Sequence, residues 1–179
     1  MHLVILDRDG VINQDSDAYI KSPDEWIPLP GSLDAIARLN RGGFTVVVAS
    51  NQAGIGRGLF DLDTLERIHQ KMTAALAALG GHLDGIFFCP HRPDEHCDCR
   101  KPEPGLLWQI GARFQMPLDK VPVIGDSLRD LQAARTAGAR PILVLSGNGL
   151  KTSRQLPDEF RDVAIYPDLA AAATGLLRE

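Results

Sequence analysis

Short apolar runs rich in Val, Ile, Leu and Phe recur along the chain without the strict alternation of a half-exposed strand. Runs of this kind predict buried parallel strands at His2–Leu6, Phe44–Ala49, Gly85–Phe88, Val121–Ile124, Pro141–Leu145 and Val163–Ile165. Between them, apolar residues at helical spacing predict helices at Ser32–Arg41, Leu62–Leu79, Gly105–Phe114, Leu128–Ala137 and Leu169–Leu177. In the second helix, Leu62, Leu65, Ile68, Met72, Leu76 and Leu79 form a stripe expected to face the core, and no functional role is assigned to it. Regular alternation of strand and helix implies βαβ units, hence an α/β fold with a doubly wound, mostly parallel sheet and helices on both faces.

Three connections are longer than crossovers require: 13–30, 52–60 and 89–104. They are expected to project over the carboxyl ends of the strands, where long loops often carry function. The stretch after Gly147 carries no evident chemical signal and is expected to contribute packing alone.

A length of 179 residues and an apolar fraction of 44% suit one domain with a substantial core. The net charge is −4, with Lys and Arg scattered, so no electrostatic footprint for nucleic acid is present. The N-terminus leads straight into a strand pattern, and no apolar run approaches membrane-spanning length. A cytoplasmic, monomeric protein without a membrane partner is expected.

Chemistry concentrates just after the apolar runs. The first strand ends in Asp7-Arg8-Asp9-Gly10, the second in Ser50-Asn51-Gln52, and Gly125-Asp126-Ser127 follows the fourth, with Asp130 beyond it. Arg100-Lys101-Pro102 closes the long segment after the third. In an open α/β sheet these ends lie along one edge, so four separate stretches build one site. Two carboxylates at i and i+2 can divide the work on a phosphate ester. Asp7 would attack phosphorus, and Asp9 would protonate the leaving oxygen and later activate water. An Asp-Gly turn in which Asp9 only caps backbone groups is the competing reading. Asp126 with Asp7 can hold Mg²⁺, and Ser50, Asn51 and Lys101 can cradle a phosphoryl group, while Asp130 can orient Lys101 or the metal shell, or serve only as an acid at the start of its own helix.

All three cysteines fall in one segment, Cys89-Pro90-His91 followed by Cys97-Asp98-Cys99. Three thiolates and one imidazole make a closed tetrahedral set for a structural Zn²⁺, with His96 as a competing nitrogen. A metal there would hold the adjoining Arg100-Lys101 pair in one orientation.

Taken together, these motifs resemble the haloacid dehalogenase superfamily of phosphohydrolases, over the chain from Leu3 to Asp130. The resemblance implies a Rossmann-like domain without a large cap, with Asp7 as nucleophile, Asp9 as general acid/base, and Ser50 and Lys101 contacting the phosphoryl group. It also implies a magnesium site of Asp7, Asp126 and the backbone carbonyl of Asp9. The joined signature Cys-x-His, Cys-Asp-Cys-Arg-Lys-Pro-x-Pro-Gly and Ser-Asn-Gln-x-Gly-Ile-x-Arg-Gly is similar to a branch that dephosphorylates a small-molecule sugar bisphosphate. There, Arg100 would recognise the retained end of the substrate, and Asp15, Ser16, Asp17, Ala18, Asn51, Gln52 and Ala53 would line the pocket. Arg57 is the other cation available to the second phosphate. A histidinol-phosphate phosphatase and a zinc-stabilised binding protein without catalysis are the alternatives.

Overall fold

The computed structural model describes residues 2–179. Its six strands are β1 (His2–Leu6), β2 (Phe44–Asn51), β3 (Gly85–Cys89), β4 (Pro122–Gly125), β5 (Arg140–Val144) and β6 (Ala164–Tyr166). They form one sheet in the order β3-β2-β1-β4-β5-β6, and every pairing is parallel. The helices are α1 (Ser32–Arg41), α2 (Ala53–Gly56), α3 (Leu62–Ala77), α4 (Gly105–Phe114), α5 (Leu128–Thr136), α6 (Gly149–Arg154) and α7 (Leu169–Leu176). Among the described residues no helix is long and apolar enough to cross a membrane.

The period-2 geometry of the strands divides the core into two layers. Val4, Leu6, Val46 and Val48 join α1, α3 and α7 on one face, whereas Leu3, Ile5, Val47 and Ala49 join α4 and α5 on the other. Side-chain caps punctuate the helices. Asp61 accepts from the Thr64 N–H, and Asp168 from the Ala171 N–H.

Strand order reverses between β1 and β4, which pair through Leu6 and Ile124. The Asp7 N–H extends this ladder to the Ile124 carbonyl at 2.9 Å. A crevice opens beyond the strand ends at such a switch point, and Asp7 stands in it by register alone.

Each predicted strand and helix is present, with ends moved by a few residues. The α3 stripe is shorter than expected. Leu65, Ile68, Met72 and Leu76 are buried, but Leu62 and Leu79 are exposed, because one opens the helix and the other falls beyond its end. The loop 13–30 is pinned rather than free. Trp26 is buried in the core, and Lys71 of α3 donates to the carbonyls of Pro23 (2.7 Å) and Trp26 (2.9 Å).

Candidate active site

Asp7 leaves β1 into a cavity of about 500 Å³ at the switch point. Gly10, at φ +85°, turns the chain back so that Asp9 also lines it. Lys101 enters from the cysteine segment and is almost fully buried. Its Nζ donates to Asp130 Oδ1 at 2.6 Å and to the Ala49 carbonyl at 2.8 Å, and lies 3.1 Å from Asp7 Oδ1. Asp130 uses its other oxygen to accept from the Ser127 N–H and hydroxyl, closing a capping box at the start of α5. The expected places of Asp130, at the start of its helix and beside Lys101, are therefore both realised by one carboxylate.

The electrostatics follow from packing three acids around one ammonium. Burial raises the Asp7 carboxyl well above its ordinary range, and Asp130 adds to this while Lys101 opposes it. Burial, then Asp130, pushes Asp126 up to about 7. Asp130 goes the other way, since Lys101 and the Ser127 donors overcome its burial and hold it low. Lys101 rises above the usual lysine range, its burial outweighed by Asp130 and Asp7. Carboxylate oxygens of Asp7, Asp126 and Asp130 all lie within 4.8 Å of one another. This excess of negative charge fits a hard divalent cation.

Asp126 is held from the tail of the chain. The Asn148 N–H donates to its Oδ2 at 2.8 Å, and the Thr152 hydroxyl to its backbone carbonyl at 2.8 Å. The Asn148 side chain also donates to Asp15 at 2.8 Å. The expectation that residues after Gly147 contribute packing alone is thus corrected. Helix α6, only six residues long, offers no periodicity to read, yet Asn148, Lys151, Thr152 and Gln155 line the cavity. Arg129 does so too, from the first turn of α5.

Of the predicted pocket residues, Asp15, Ser16, Asp17, Asn51, Ala53 and Arg100 line the cavity. Asn51 exchanges two hydrogen bonds with the Lys101 backbone, both at 3.0 Å, and so ties the second strand end to the cysteine segment. Ser50 and Gln52 are buried behind the wall. Gln52 Nε2 donates to Ser50 Oγ at 2.8 Å and to Asp9 Oδ2 at 3.3 Å. Four of the expected contacts are therefore outside the lining: Ser50 and Gln52, and also Ala18 and Arg57. Arg57 caps the single turn of α2 and is exposed, because that turn carries the chain away from the strand ends.

Arg100 carries an orphan donor. Its Nη1 is buried without a hydrogen-bond partner, and burial followed by the neighbouring Arg129 lowers its affinity for its own proton. Two guanidiniums repelling each other beside an unfilled donor form a natural seat for an anion.

Behind Arg100 the four predicted zinc ligands converge. Cys89 Sγ lies 3.4 Å from His91 Nδ1 and 3.5 Å from Cys97 Sγ, and His91 Nδ1 lies 3.3 Å from Cys99 Sγ. A tetrahedron with metal–ligand bonds of about 2.0–2.3 Å has edges close to these. The donor set therefore fits Zn²⁺, and His96 is outside the cluster.

Two family models match the chain: Polynucleotide kinase 3 phosphatase over residues 3–131, and HAD-hydrolase-like over residues 98–172. The D-glycero-beta-D-manno-heptose-1,7-bisphosphate 7-phosphatase of Bordetella bronchiseptica is 59% identical, over 100% of this chain and 99% of that protein. The protein of the same name from Pseudomonas putida is 52% identical, over 99% of this chain and 100% of that protein. The crystal structure of the B. bronchiseptica D,D-heptose 1,7-bisphosphate phosphatase, complexed with magnesium and phosphate, superposes with a TM-score of 0.96 at 58% identity, covering 99% of each chain. With this identity end to end, the chain belongs to the D-glycero-beta-D-manno-heptose-1,7-bisphosphate 7-phosphatase family of haloacid dehalogenase-like hydrolases.

Proposed function

We propose that this protein hydrolyses the 7-phosphate of D-glycero-β-D-manno-heptose 1,7-bisphosphate and releases heptose 1-phosphate. The observation that carries this is a single cavity lined by Asp7, Asp9 and Lys101 and also by three further cations, Arg100, Arg129 and Lys151. A bisphosphate sets its reacting phosphate against Asp7 and leaves the retained phosphate to those cations. Histidinol phosphate, the second reading, would set a cationic amine against those three cations. The polynucleotide in the name of one matched model finds no basic track on a chain of net charge −4.

Asp7 Oδ1 accepts from the Arg8 N–H at 2.8 Å and faces Lys101, while Oδ2 takes no hydrogen bond from the described residues. A carboxylate oxygen of Asp7 attacks phosphorus, and the bond from phosphorus to the sugar oxygen breaks. Asp9 gives its proton to that oxygen, which leaves as the 7-hydroxyl. Water then attacks the aspartyl phosphate, Asp9 takes the proton back, and Asp7 is freed with release of inorganic phosphate. Lys101 faces the charge that grows on the transferring group. Asp7, Asp126 and the Asp9 carbonyl would hold Mg²⁺, which would supply Lewis-acid neutralisation of the phosphate oxygens. Cys89, His91, Cys97 and Cys99 would hold a structural Zn²⁺ that would fix the approach of Arg100 and Lys101.

Charged sugar phosphates do not cross membranes unaided, which suits a cytoplasmic enzyme acting as one uncapped, monomeric domain. The product retains the anomeric phosphate required for nucleotide activation, as in the supply of heptose to lipopolysaccharide core. Phosphate release with Mg²⁺ tests the assignment, comparing both anomers of the heptose bisphosphate, histidinol phosphate and a 3′-phosphorylated oligonucleotide. A kcat/KM highest for the β-anomer is expected. Preference for histidinol phosphate or the oligonucleotide overturns it.

A further inference from the structure

Beneath the paired acids lies a cation that the hydrolysis described above does not use. Arg8 is 0% exposed, with a guanidinium that reaches in two directions. Toward the site, Nε donates to Asp9 Oδ1 at 2.9 Å. Nη2 is 2.9 Å from the same oxygen, a charge contact outside hydrogen-bond geometry. Away from the site, Nη1 lies 3.1 Å from Nε2 of His69, midway along α3. An arginine has donors only, so His69 Nε2 is the acceptor, and the imidazole is neutral with its proton on Nδ1. Burial, and then the charge of Arg8, hold the ring in that form and push its pKa down to about 4, against the pull of Asp9. The Phe88 ring, 6.4 Å away between centroids, packs against it at a tilt.

Asp9 Oδ1 is filled from this side. Besides Arg8 it accepts from Asn13 Nδ2 at 2.9 Å, whereas Oδ2 meets only Gln52 Nε2 at the longer 3.3 Å. The carboxyl therefore has a held oxygen and an available one. The geometry points to His69 as a positioning residue for proton transfer at Asp9. It fixes the Arg8 guanidinium, Arg8 with Asn13 occupies Oδ1, and Oδ2 is left to carry the proton to the leaving oxygen and to recover it from water. This rests on the reading of Asp9 as general acid/base. An imidazole suits the task because a buried arginine fork with a single carboxylate partner is free to pivot. A neutral acceptor on a rigid helix stops the pivot without competing for the proton at Asp9.

The test uses the full chain with Mg²⁺ and two substrates that differ in leaving group. The sugar 7-oxygen leaves poorly without a proton, whereas p-nitrophenolate leaves readily, and kcat/KM reports the steps up to departure of either. His69→Leu is expected to lower kcat/KM about 10–100-fold on the bisphosphate, within the reach of general acid catalysis, and less than about threefold on p-nitrophenyl phosphate. The bisphosphate KM stays near that of the parent, since Arg100 and its neighbours are untouched. His69→Gln, which keeps an acceptor oxygen, is expected to recover most of the loss. Equal losses on both substrates, no loss on either, or no recovery with glutamine overturn the proposal. Asp9→Asn serves as the reference. If it shows no greater loss on the bisphosphate than on the aryl ester, the acid/base reading of Asp9 falls and takes the role of His69 with it. If it does and His69→Leu does not, only the role of His69 falls.

Discussion

Lys101 Nζ and Asp130 Oδ1 meet at 2.6 Å, with the two side chains only 4% and 2% exposed. The pair holds an ammonium at the base of a cavity whose other near charges are carboxylates. Asp7 shares that ammonium at 3.1 Å, so one cation keeps two buried acids in check.

Lys101→Met leaves Asp130 and Asp7 buried without it. Breaking a buried pair from one side typically costs about 3–5 kcal/mol, and loss of the donor facing the transferring phosphoryl group removes at least about 100-fold in kcat. Urea unfolding and steady-state phosphate release measure the two losses; a variant as stable as the parent would show that Asp130 finds another partner.

Asp7→Asn separates activity from stability in the opposite sense. Turnover is expected to fall at least about a thousandfold as the nucleophile is lost. The thermal midpoint in metal-free buffer is expected to hold or rise, because burial and the neighbouring Asp130 already oppose charge at this position. Retained turnover would remove Asp7 from the nucleophile role.

Gly147 stands at φ +56°, and a Cβ there would run into Asp126 Oδ2, as would one on Gly10. The two glycines together leave room for that carboxylate. Gly147→Ala is expected to raise the Mg²⁺ concentration for half-maximal activity by about 10-fold or more, as for lost support of a metal ligand. Titration of activity with Mg²⁺ reads the shift, and an unchanged midpoint would dissociate the tail from the metal site.

Cys97→Ala removes one of four converging ligands. Zinc content is expected to fall, with a loss of at least about 2 kcal/mol, or roughly 5 °C in a chain of this size. Because Arg100 adjoins the cluster, KM for the bisphosphate should rise before kcat drops. Full zinc occupancy in the variant would discredit this ligand set.

His69 also predicts how stability depends on pH. Its pKa is about 4 in the folded chain against 6.5 unfolded, so between these values the unfolded state binds more protons and stability rises with pH. Its contribution is complete above pH 6.5 and is lost as pH falls toward 4, on the order of 3 kcal/mol. Arg8 and Asp9 are the charges acting on it, and Phe88 is uncharged. Urea unfolding at pH 7 and pH 5 is expected to show a smaller difference for His69→Gln than for the parent; equal differences would assign the acid loss elsewhere.

Apolar runs and helical spacing made the sheet and its main helices legible in the sequence, since buried strands in this architecture must be continuously apolar and short. Position just past a strand end marked Asp7, Asp9 and Asp126, one tight spacing marked the four zinc ligands, and Lys101 stood out only by adjoining them. Side-chain direction was not legible. Arg57 is near the site in sequence yet exposed, since one helical turn redirects the chain. His69 lies beside the apolar stripe of α3 and Arg8 between two acids, and no motif singles out either; only packing buries them together.

Local chemistry along the chain determined the fold class, the strand-end acids, the lysine and the cysteine cluster, because each is encoded within a few residues. Only tertiary structure decided which oxygen of Asp9 is held, that Arg129 and Lys151 join Arg100, and that Asn148 anchors Asp126 across the cavity. Arg8 and Asn13 are close to Asp9 in the chain, but the His69 contact that fixes Arg8, like the other two relationships, joins residues far apart in it. Whether two side chains meet there depends on helix orientation and packing, which no short stretch of sequence contains.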